Sequence, residues 1–123
     1  FSSGSIDGIL LDVPCSSTGT IRKSPDIKWV EDLKSLLRQT ELQEKLLKEA
    51  VRVVRKGGWI AYSTCSLEPE ETQLPLQLSG ELGLQSIPWR ELPGGIKETQ
   101  KGFWQLLPSR HWMGFSAMIL KKS

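Results

Sequence analysis

The sequence has few of the residues on which metal and disulfide chemistry depend, since its 123 residues include only two cysteines and one histidine. Two cysteines and His111 fall short of four well-spaced ligands, which argues against a structural metal site. The chain also lacks a charged-then-apolar segment and any apolar run long enough to cross a membrane, so neither a secretory signal nor a transmembrane helix is expected. The expected compartment is intracellular, the cytoplasm first and the nucleus or an organelle otherwise, where thiols stay reduced.

Strong charge of one sign is missing as well. The formal net charge is +2, so no global polybasic signal points to nucleic acid. The apolar content is ordinary for a globular protein, and a chain of this length makes one small domain with a core of its own.

The hydrophobic pattern predicts an α/β protein. Residues 6–13 form an apolar run whose continuous Ile9-Leu10-Leu11 suits a strand covered on both faces. A long amphipathic helix is predicted from Trp29 to Val54, with Gly57-Gly58 as its stop. The other predicted elements are a strand at 59–63, a short helix from about 68, strands at 83–89, 100–107 and 115–120, and a turn at 93–95. The last strands are expected to be antiparallel in the sheet.

Each cysteine follows a predicted buried strand, at the point where the chain turns toward a helix. Cys15 lies in Asp-Val-Pro-Cys-Ser-Ser-Thr-Gly at 12–19, and Cys65 in Tyr-Ser-Thr-Cys-Ser-Leu-Glu-Pro-Glu-Glu at 62–71. Open α/β sheets place their chemistry at such strand ends. Two thiols facing one pocket can divide attack and resolution between them, although two small buried hydrophobic residues are the simpler alternative.

These segments resemble the Nop/Sun (RsmB-like) family of S-adenosylmethionine-dependent RNA cytosine-C5 methyltransferases. Residues 10–29 resemble its motif IV, residues 57–71 its motif VI, and residues 107–115 its closing strand. The resemblance implies strands 4 to 7 of a Rossmann-like class I methyltransferase sheet, in a three-layer α/β/α arrangement with the first three strands absent. Residues 1–123 are then a partial catalytic domain.

The chemistry of that family explains the residue types. Carbon 5 of cytosine becomes nucleophilic only when a thiolate adds at carbon 6. A methyl group from S-adenosylmethionine then reaches carbon 5, a base removes the carbon-5 proton, and the thiol is eliminated. Asp12 is the candidate group at ring N3. Partial burial beside donors is expected to help the thiol lose its proton.

Composition alone does not decide which cysteine attacks. DNA cytosine methyltransferases use the cysteine of a Pro-Cys pair, which corresponds to Cys15. The resemblance to the RNA family instead assigns attack to Cys65 and release of the methylated RNA to Cys15. Asp12 and Pro14 are also expected beside the cofactor.

An RNA substrate, ribosomal or transfer, is the expected partner. Arg22, Lys23 and Lys28 lie in a loop near Cys15 and can contact phosphates, although an ordinary solvated basic loop explains them equally well. The aromatic residues divide by context. Trp29, Trp59, Trp89 and Phe115 are expected in the core, and Trp104 and Trp112 nearer the surface.

The glycine-rich cofactor loop that follows the first strand of such methyltransferases is missing. The chain is therefore expected to be part of a longer protein. The alternative is a catalytically silent fragment that acts as an RNA- or protein-interaction module. An amino-group methyltransferase is excluded, because it requires Asn or Asp followed by Pro-Pro and an aromatic residue, whereas residues 12–15 are Asp-Val-Pro-Cys.

Overall fold

The computed structural model describes residues 1–30, 32–89, 91, 94, 96–100 and 102–123, and these form a mixed sheet with helices. The strands are β1 (Ile6–Asp12), β2 (Val54–Thr64), β3 (Leu84–Ile87), β4 (Ile96–Gln100), β5 (Phe103–Leu106) and β6 (Phe115–Lys122). The helices are α1 (Ile27–Val30), α2 (Leu33–Val53), α3 (Pro69–Thr72) and α4 (Leu74–Ser79). No helix in the described part of the chain is long and apolar enough to span a membrane.

The strand order places the two cysteine loops next to each other. The order is β1, β2, β6, β5, β4, and β3 also pairs with β6. β1 is parallel to β2, whereas β6 is antiparallel to β2, β3 and β5, which confirms the predicted α/β class with antiparallel final strands. Because β1 and β2 are parallel, both carboxyl ends lie at the same edge of the sheet.

The long helix begins later than the sequence pattern predicts. A short α1 precedes it, and α2 starts at Leu33 because Asp32 caps it: the carboxylate accepts a hydrogen bond from the Ser35 N–H at 2.7 Å. Such a cap satisfies a backbone donor that has no partner within the helix.

The predicted helix stop at Gly57-Gly58 is wrong. α2 ends at Val53, and both glycines lie inside β2. Gly57 has φ 74°, and a Cβ on Gly58 would lie 2.6 Å from the Asp7 carbonyl oxygen. The glycine pair therefore allows β1 and β2 to approach closely at an irregular point of their pairing.

The core lies between α2 and one face of the sheet. Leu47, Ile60 and Leu120 are fully buried there, and burial of such side chains contributes about 1.5–3 kcal/mol each. α2 packs on β1 and β2 and also contacts α3 and α4, so these three helices form one layer.

The opposite face of the sheet carries exposed apolar side chains. Leu10 is 72% exposed, and Trp59, Trp89 and Phe115 are 46%, 46% and 41% exposed. Their predicted places in the core, and the predicted cover on both sides of Leu10, are wrong. Trp104 is buried, contrary to prediction, and packs edge-to-face with Trp89 at 4.2 Å between ring centroids. Since α2, α3 and α4 lie on one face, the second helical layer of the three-layer arrangement stays a prediction.

The C-terminal third contains a hairpin that the sequence pattern conceals. The strand predicted at 100–107 corresponds to β5, and β4 is an additional strand before it; Gly102, between the two strands, has φ 80°. The Gly102 N–H donates to Glu98 Oε1 at 2.7 Å. Of the turn predicted at 93–95, only Gly94 lies within the described residues.

Candidate catalytic site

Two thiols converge at the carboxyl ends of β1 and β2. The Sγ atoms of Cys15 and Cys65 lie 3.1 Å apart, and both side chains are half-buried and free. Cys15 follows β1 by three residues, and Cys65 comes directly after β2. The parallel pairing thus brings together two residues that are 50 positions apart in sequence.

Ser17 faces both thiols from a strained backbone position. Its Oγ lies 3.3 Å from Cys65 Sγ and 3.8 Å from Cys15 Sγ. Its φ of 60° makes it the one described residue other than glycine in the left-handed region. Such conformations cost about 1–3 kcal/mol and persist where the surroundings hold them. Sequence reasoning treats Ser17 as a turn residue and misses this contact.

Burial sets the protonation of Cys65. Loss of solvent raises the pKa of the Cys65 thiol above its ordinary value, and neighbouring Cys15 raises it further. The hydrogen bond with Ser17 acts in the opposite direction but does not reverse the effect. The surroundings of Cys65 in this structure therefore raise the pKa of its thiol, contrary to the expectation that partial burial helps the thiol lose its proton.

Asp12 lies beside this pair with its side chain open to solvent. It is the last residue of β1 and pairs in register with Ser63, whose hydroxyl donates to Asp12 Oδ1 at 2.8 Å. Both residues line one end of a cavity of about 560 Å³ on the uncovered face of the sheet, together with Leu10 and Ala61. The Ser63 bond fixes one carboxylate oxygen and orients the group along the sheet edge.

The two predicted cofactor contacts, Asp12 and Pro14, both lie at this edge. Pro14 is exposed. Its carbonyl oxygen accepts a hydrogen bond from Gln43 Nε2 at 2.8 Å.

A buried polar network lies directly beneath the cysteine loop. The Glu71 carboxylate is fully buried and accepts hydrogen bonds from the Ser16 N–H at 2.9 Å and the Ser16 hydroxyl at 2.5 Å. Gln43 Nε2 donates to the same carboxylate at 2.9 Å. The Tyr62 hydroxyl donates to Gln43 Oε1 at 3.3 Å, and burial followed by the Glu71 charge raises the pKa of that phenol. Sequence reasoning reads Glu71 only as a helix-start carboxylate.

A third chain segment closes the site through two glycines. The Gly19 N–H donates to the Cys65 carbonyl at 2.9 Å, and the Gly114 N–H donates to the Gly19 carbonyl at 2.7 Å. A Cβ on Gly19 would lie 2.4 Å from the Gly114 oxygen and 2.5 Å from the Cys65 oxygen. These distances leave no room for any side chain at Gly19.

The predicted RNA-contacting residues border a groove beside the site. Arg22, Lys23 and Lys28 are exposed, and Arg22 and Lys28 line a cavity of about 470 Å³ with Thr18 and Pro108. The two terminal nitrogens of the Arg22 guanidinium donate to the backbone carbonyls of Ser109 and Arg110. These hydrogen bonds tie Arg22 to the loop that precedes β6.

Two aromatic residues near this groove reach solvent. Trp29 is 88% exposed, so its predicted place in the core is wrong, and Trp112 is 50% exposed as predicted. No group of three His, Cys, Asp or Glu side chains within the described ranges is placed to hold a metal ion.

Comparison with known proteins finds one family. The family described as 16S rRNA methyltransferase RsmB/F matches residues 1–118. The chain is 34% identical to the probable ribosomal RNA small subunit methyltransferase B of Synechocystis sp., over 96% of this chain and 28% of that protein. It is 38% identical to the ribosomal RNA small subunit methyltransferase B of Vibrio cholerae, over 94% of this chain and 26% of that protein.

A solved structure agrees with these sequence matches. NSun6 from Pyrococcus horikoshii, crystallised with SFG, superposes with a TM-score of 0.77 at 25% identity, over 92% of this chain and 29% of that one. The chain thus spans about a quarter of the length of the relatives it matches.

Proposed function

The chain belongs to the 16S rRNA methyltransferase RsmB/F family, and we propose that it forms part of a catalytic domain that methylates carbon 5 of a cytosine in RNA. The observation that carries the proposal is the pair of thiols 3.1 Å apart beside an exposed carboxylate. Ribosomal RNA is the first candidate substrate, because the relatives are named ribosomal RNA small subunit methyltransferases, and transfer RNA is the second.

Cys65 is the proposed nucleophile. Its thiolate adds to carbon 6 of the ring, and the electron pair of the 5,6 double bond becomes available at carbon 5. Because burial raises the pKa of this thiol, its proton has to leave as the substrate binds. Ser17, 3.3 Å away, stabilises the thiolate by hydrogen bonding, which is the direction of its effect on the pKa.

Cys15 is proposed to act at carbon 5, the atom next to the one that Cys65 attacks. The distance of 3.1 Å between the two sulfurs supports this role, because it keeps Cys15 close to a ring bonded to Cys65. After methylation a base takes the proton of carbon 5, and the pair of electrons left behind re-forms the double bond and expels the Cys65 thiolate. Assistance to this release is the role proposed for Cys15.

Asp12 is proposed to act at ring N3 as a carboxylic acid that donates a hydrogen bond or its proton, and so to draw electrons away from carbon 6. Its orientation by Ser63 at 2.8 Å leaves the other carboxylate oxygen directed to the pyrimidine edge. Lys23, Lys28 and the remaining donors of Arg22 are proposed to contact RNA phosphates along the adjoining groove.

The methyl donor is proposed to be S-adenosylmethionine, which supplies the methyl group as an electrophile when it is bound. We propose that it contacts this chain at the edge where β1 ends, through Asp12 and Pro14, both of which are exposed. A carboxylate at that position can accept hydrogen bonds from a ligand. The SFG of the Pyrococcus relative is an analogue of this donor, which supports the assignment.

The competing function is a catalytically silent interaction module, which the uncovered apolar face around Leu10 and Trp59 would suit. Calorimetric titration of the 123-residue chain with S-adenosylmethionine separates the two, because micromolar binding contradicts the silent module.

Covalent trapping tests the proposed chemistry in the gene product that contains residues 1–123. We expect Cys65→Ala to abolish both methylation and RNA adducts, and Cys15→Ala to accumulate the adduct because release fails. Glu70→Gln, on the exposed side of α3, is the matched control and should behave as the wild type. Normal turnover in Cys65→Ala would refute the nucleophile assignment, and turnover of Cys15→Ala without adduct would refute the release role.

A further inference from the structure

The Glu71 carboxylate is buried without a cationic partner among the described residues. Its relative exposure is 0%, and its recorded partners are all uncharged donors. Burial of a carboxylate is costly unless its oxygens are hydrogen-bonded. Three donors meet that need, and hydrogen bonds to an ionised acceptor are the strong ones. Because loss of any of these bonds would leave the buried carboxylate unsatisfied, the groups that donate to Glu71 are held firmly in place.

Glu71 is bonded directly to the backbone after Cys15 and, through Gln43, to the backbone before it. The Ser16 N–H, just after Cys15, donates to Glu71 Oε1 at 2.9 Å. Gln43 Nε2 donates to that same oxygen at 2.9 Å and to the carbonyl of Pro14, just before Cys15, at 2.8 Å. The pair, here termed the Gln43–Glu71 clamp, therefore holds both peptide groups that flank the thiol.

The clamp draws its two members from different helices. Gln43 lies on α2 and Glu71 on α3, which directly follows the Cys65 loop. The Tyr62 hydroxyl donates to Gln43 Oε1 at 3.3 Å, so the Gln43 amide is oriented with its NH₂ toward Pro14 and Glu71. The Cys15 loop is thereby tied to the helix that carries the chain away from Cys65.

We infer that Glu71 is a positioning residue which, through Ser16 and Gln43, holds Cys15 within reach of Cys65. This role matters for catalysis only if the proposed function holds, because two thiols can act on one ring only if the distance between them is fixed. The separation itself is a property of the free protein and can be measured without any methyl transfer.

Phenylarsine oxide is a direct probe of that separation. Its arsenic bonds both sulfurs of a close thiol pair, the two thiol protons leave with the oxygen as water, and no oxidant is needed. The affinity of the full chain for this reagent reports how well the two thiols are held together. We expect one-to-one binding by the wild type and loss of the chelate in Cys15→Ala.

Substitutions at Glu71 separate positioning from general stability. Glu71→Ala should weaken arsenical binding about tenfold, because Ser16 and the Gln43 amide, which hold the peptide groups after and before Cys15, lose their shared acceptor. Glu71→Gln should keep the affinity within about twofold, because its amide oxygen replaces Oε1, which accepts two of the three bonds. The new amide NH₂ can donate to the Ser16 hydroxyl.

Two further variants control for a general loss of stability and provide a second test of the clamp. Leu84→Ala removes buried apolar volume from β3 but none of the clamp bonds, and should keep wild-type affinity despite its lower urea midpoint. Gln43→Met leaves the Glu71–Ser16 bonds and frees the Pro14 carbonyl, so it should lose affinity even if Glu71→Ala fails to fold. Equal affinities in wild type, Glu71→Ala and Gln43→Met would overturn the inference, as would equal losses in Leu84→Ala. If the chain binds the arsenical as expected but the gene product that contains residues 1–123 methylates no RNA, only the proposed function is refuted.

Discussion

Substitution of Gly19 by alanine should break the junction of the three segments that meet at the site. The Gly19 backbone is pressed between the Cys65 carbonyl and the Gly114 carbonyl, and an added Cβ would lie 2.5 Å and 2.4 Å from those oxygens. Both contacts are with backbone, so neither can be relieved by rotation of a side chain. The loop with Cys15 must move away from the end of β2.

The size of the effect follows from what that movement breaks. Forcing an extra carbon into a packed site costs about 1–3 kcal/mol. The Gly19–Cys65 and Gly114–Gly19 hydrogen bonds are stretched at the same time, and each contributes about 0.5–1.5 kcal/mol. A total loss of about 2–6 kcal/mol, at a urea m value of about 2 kcal/mol/M, corresponds to a fall of about 1–3 M in the urea midpoint.

Urea unfolding followed by tryptophan fluorescence is the assay, with Gly80→Ala as the matched control. Gly80 has φ −62°, and nothing lies within 4 Å of a Cβ added there. The control should therefore leave the midpoint unchanged or raise it slightly. A midpoint for Gly19→Ala that equals that of Gly80→Ala would refute the packing argument.

The remaining predictions concern ionisation. The rate of Cys65 alkylation by iodoacetamide, measured on the Cys65 peptide by mass spectrometry, should rise with pH around a midpoint above the ordinary thiol pKa of about 8.5. Ser17→Ala should raise that midpoint, and Cys15→Ala should lower it. A midpoint below that of a free thiol would contradict the assigned effect of burial. Tyr62 is the single tyrosine of the chain, and its absorbance titration should show ionisation well above the usual pKa of about 10. Because the folded state holds that proton more tightly, the free energy of unfolding should fall as the pH rises above about 10, and Tyr62→Phe should make this fall smaller.

The sequence predicts the parts of the fold that depend on local pattern. β1, β2, the long helix and β6 are all found near their predicted positions, because apolar runs and helical spacing reflect which side chains the core buries. The meeting of Cys15 and Cys65 follows from two strands whose carboxyl ends share an edge. The catalytic, cofactor-binding and RNA-binding roles of the site residues stay predictions.

The errors come from features with no local signature. The Gly57-Gly58 pair follows a helix and therefore resembles a helix stop. In the fold, Gly58 instead allows the backbone of Asp7, on the neighbouring strand, to approach closely. Leu10 and Trp59 are apolar, yet composition does not reveal which face of a sheet is covered. The bond from Ser16 to Glu71 joins residues 55 positions apart, and a carboxylate beside a helix start reads as an ordinary dipole partner until the fold is known.

The pairing of β1 with β2 is irregular only near the start of β1. The register shifts between Ile6 and Gly8, and from Gly8 to Asp12 the strand then runs in step with β2 as far as Ser63. A residue inserted near Ile6 can be absorbed where the ladder is already broken. One inserted beyond Gly8 would advance the chain by about 3.3 Å and turn each later side chain to the other face.

Tolerance to changes in length is therefore unequal along a single strand. An insertion in the regular part would separate Asp12 from Ser63 and draw Cys15 away from Cys65, whereas extra residues in the crossover before α2 would leave the ladder intact. Among sequences that keep this pair of thiols, gaps should accumulate at the start of β1 and in that crossover. The stretch from Gly8 to Cys15 should keep a constant length.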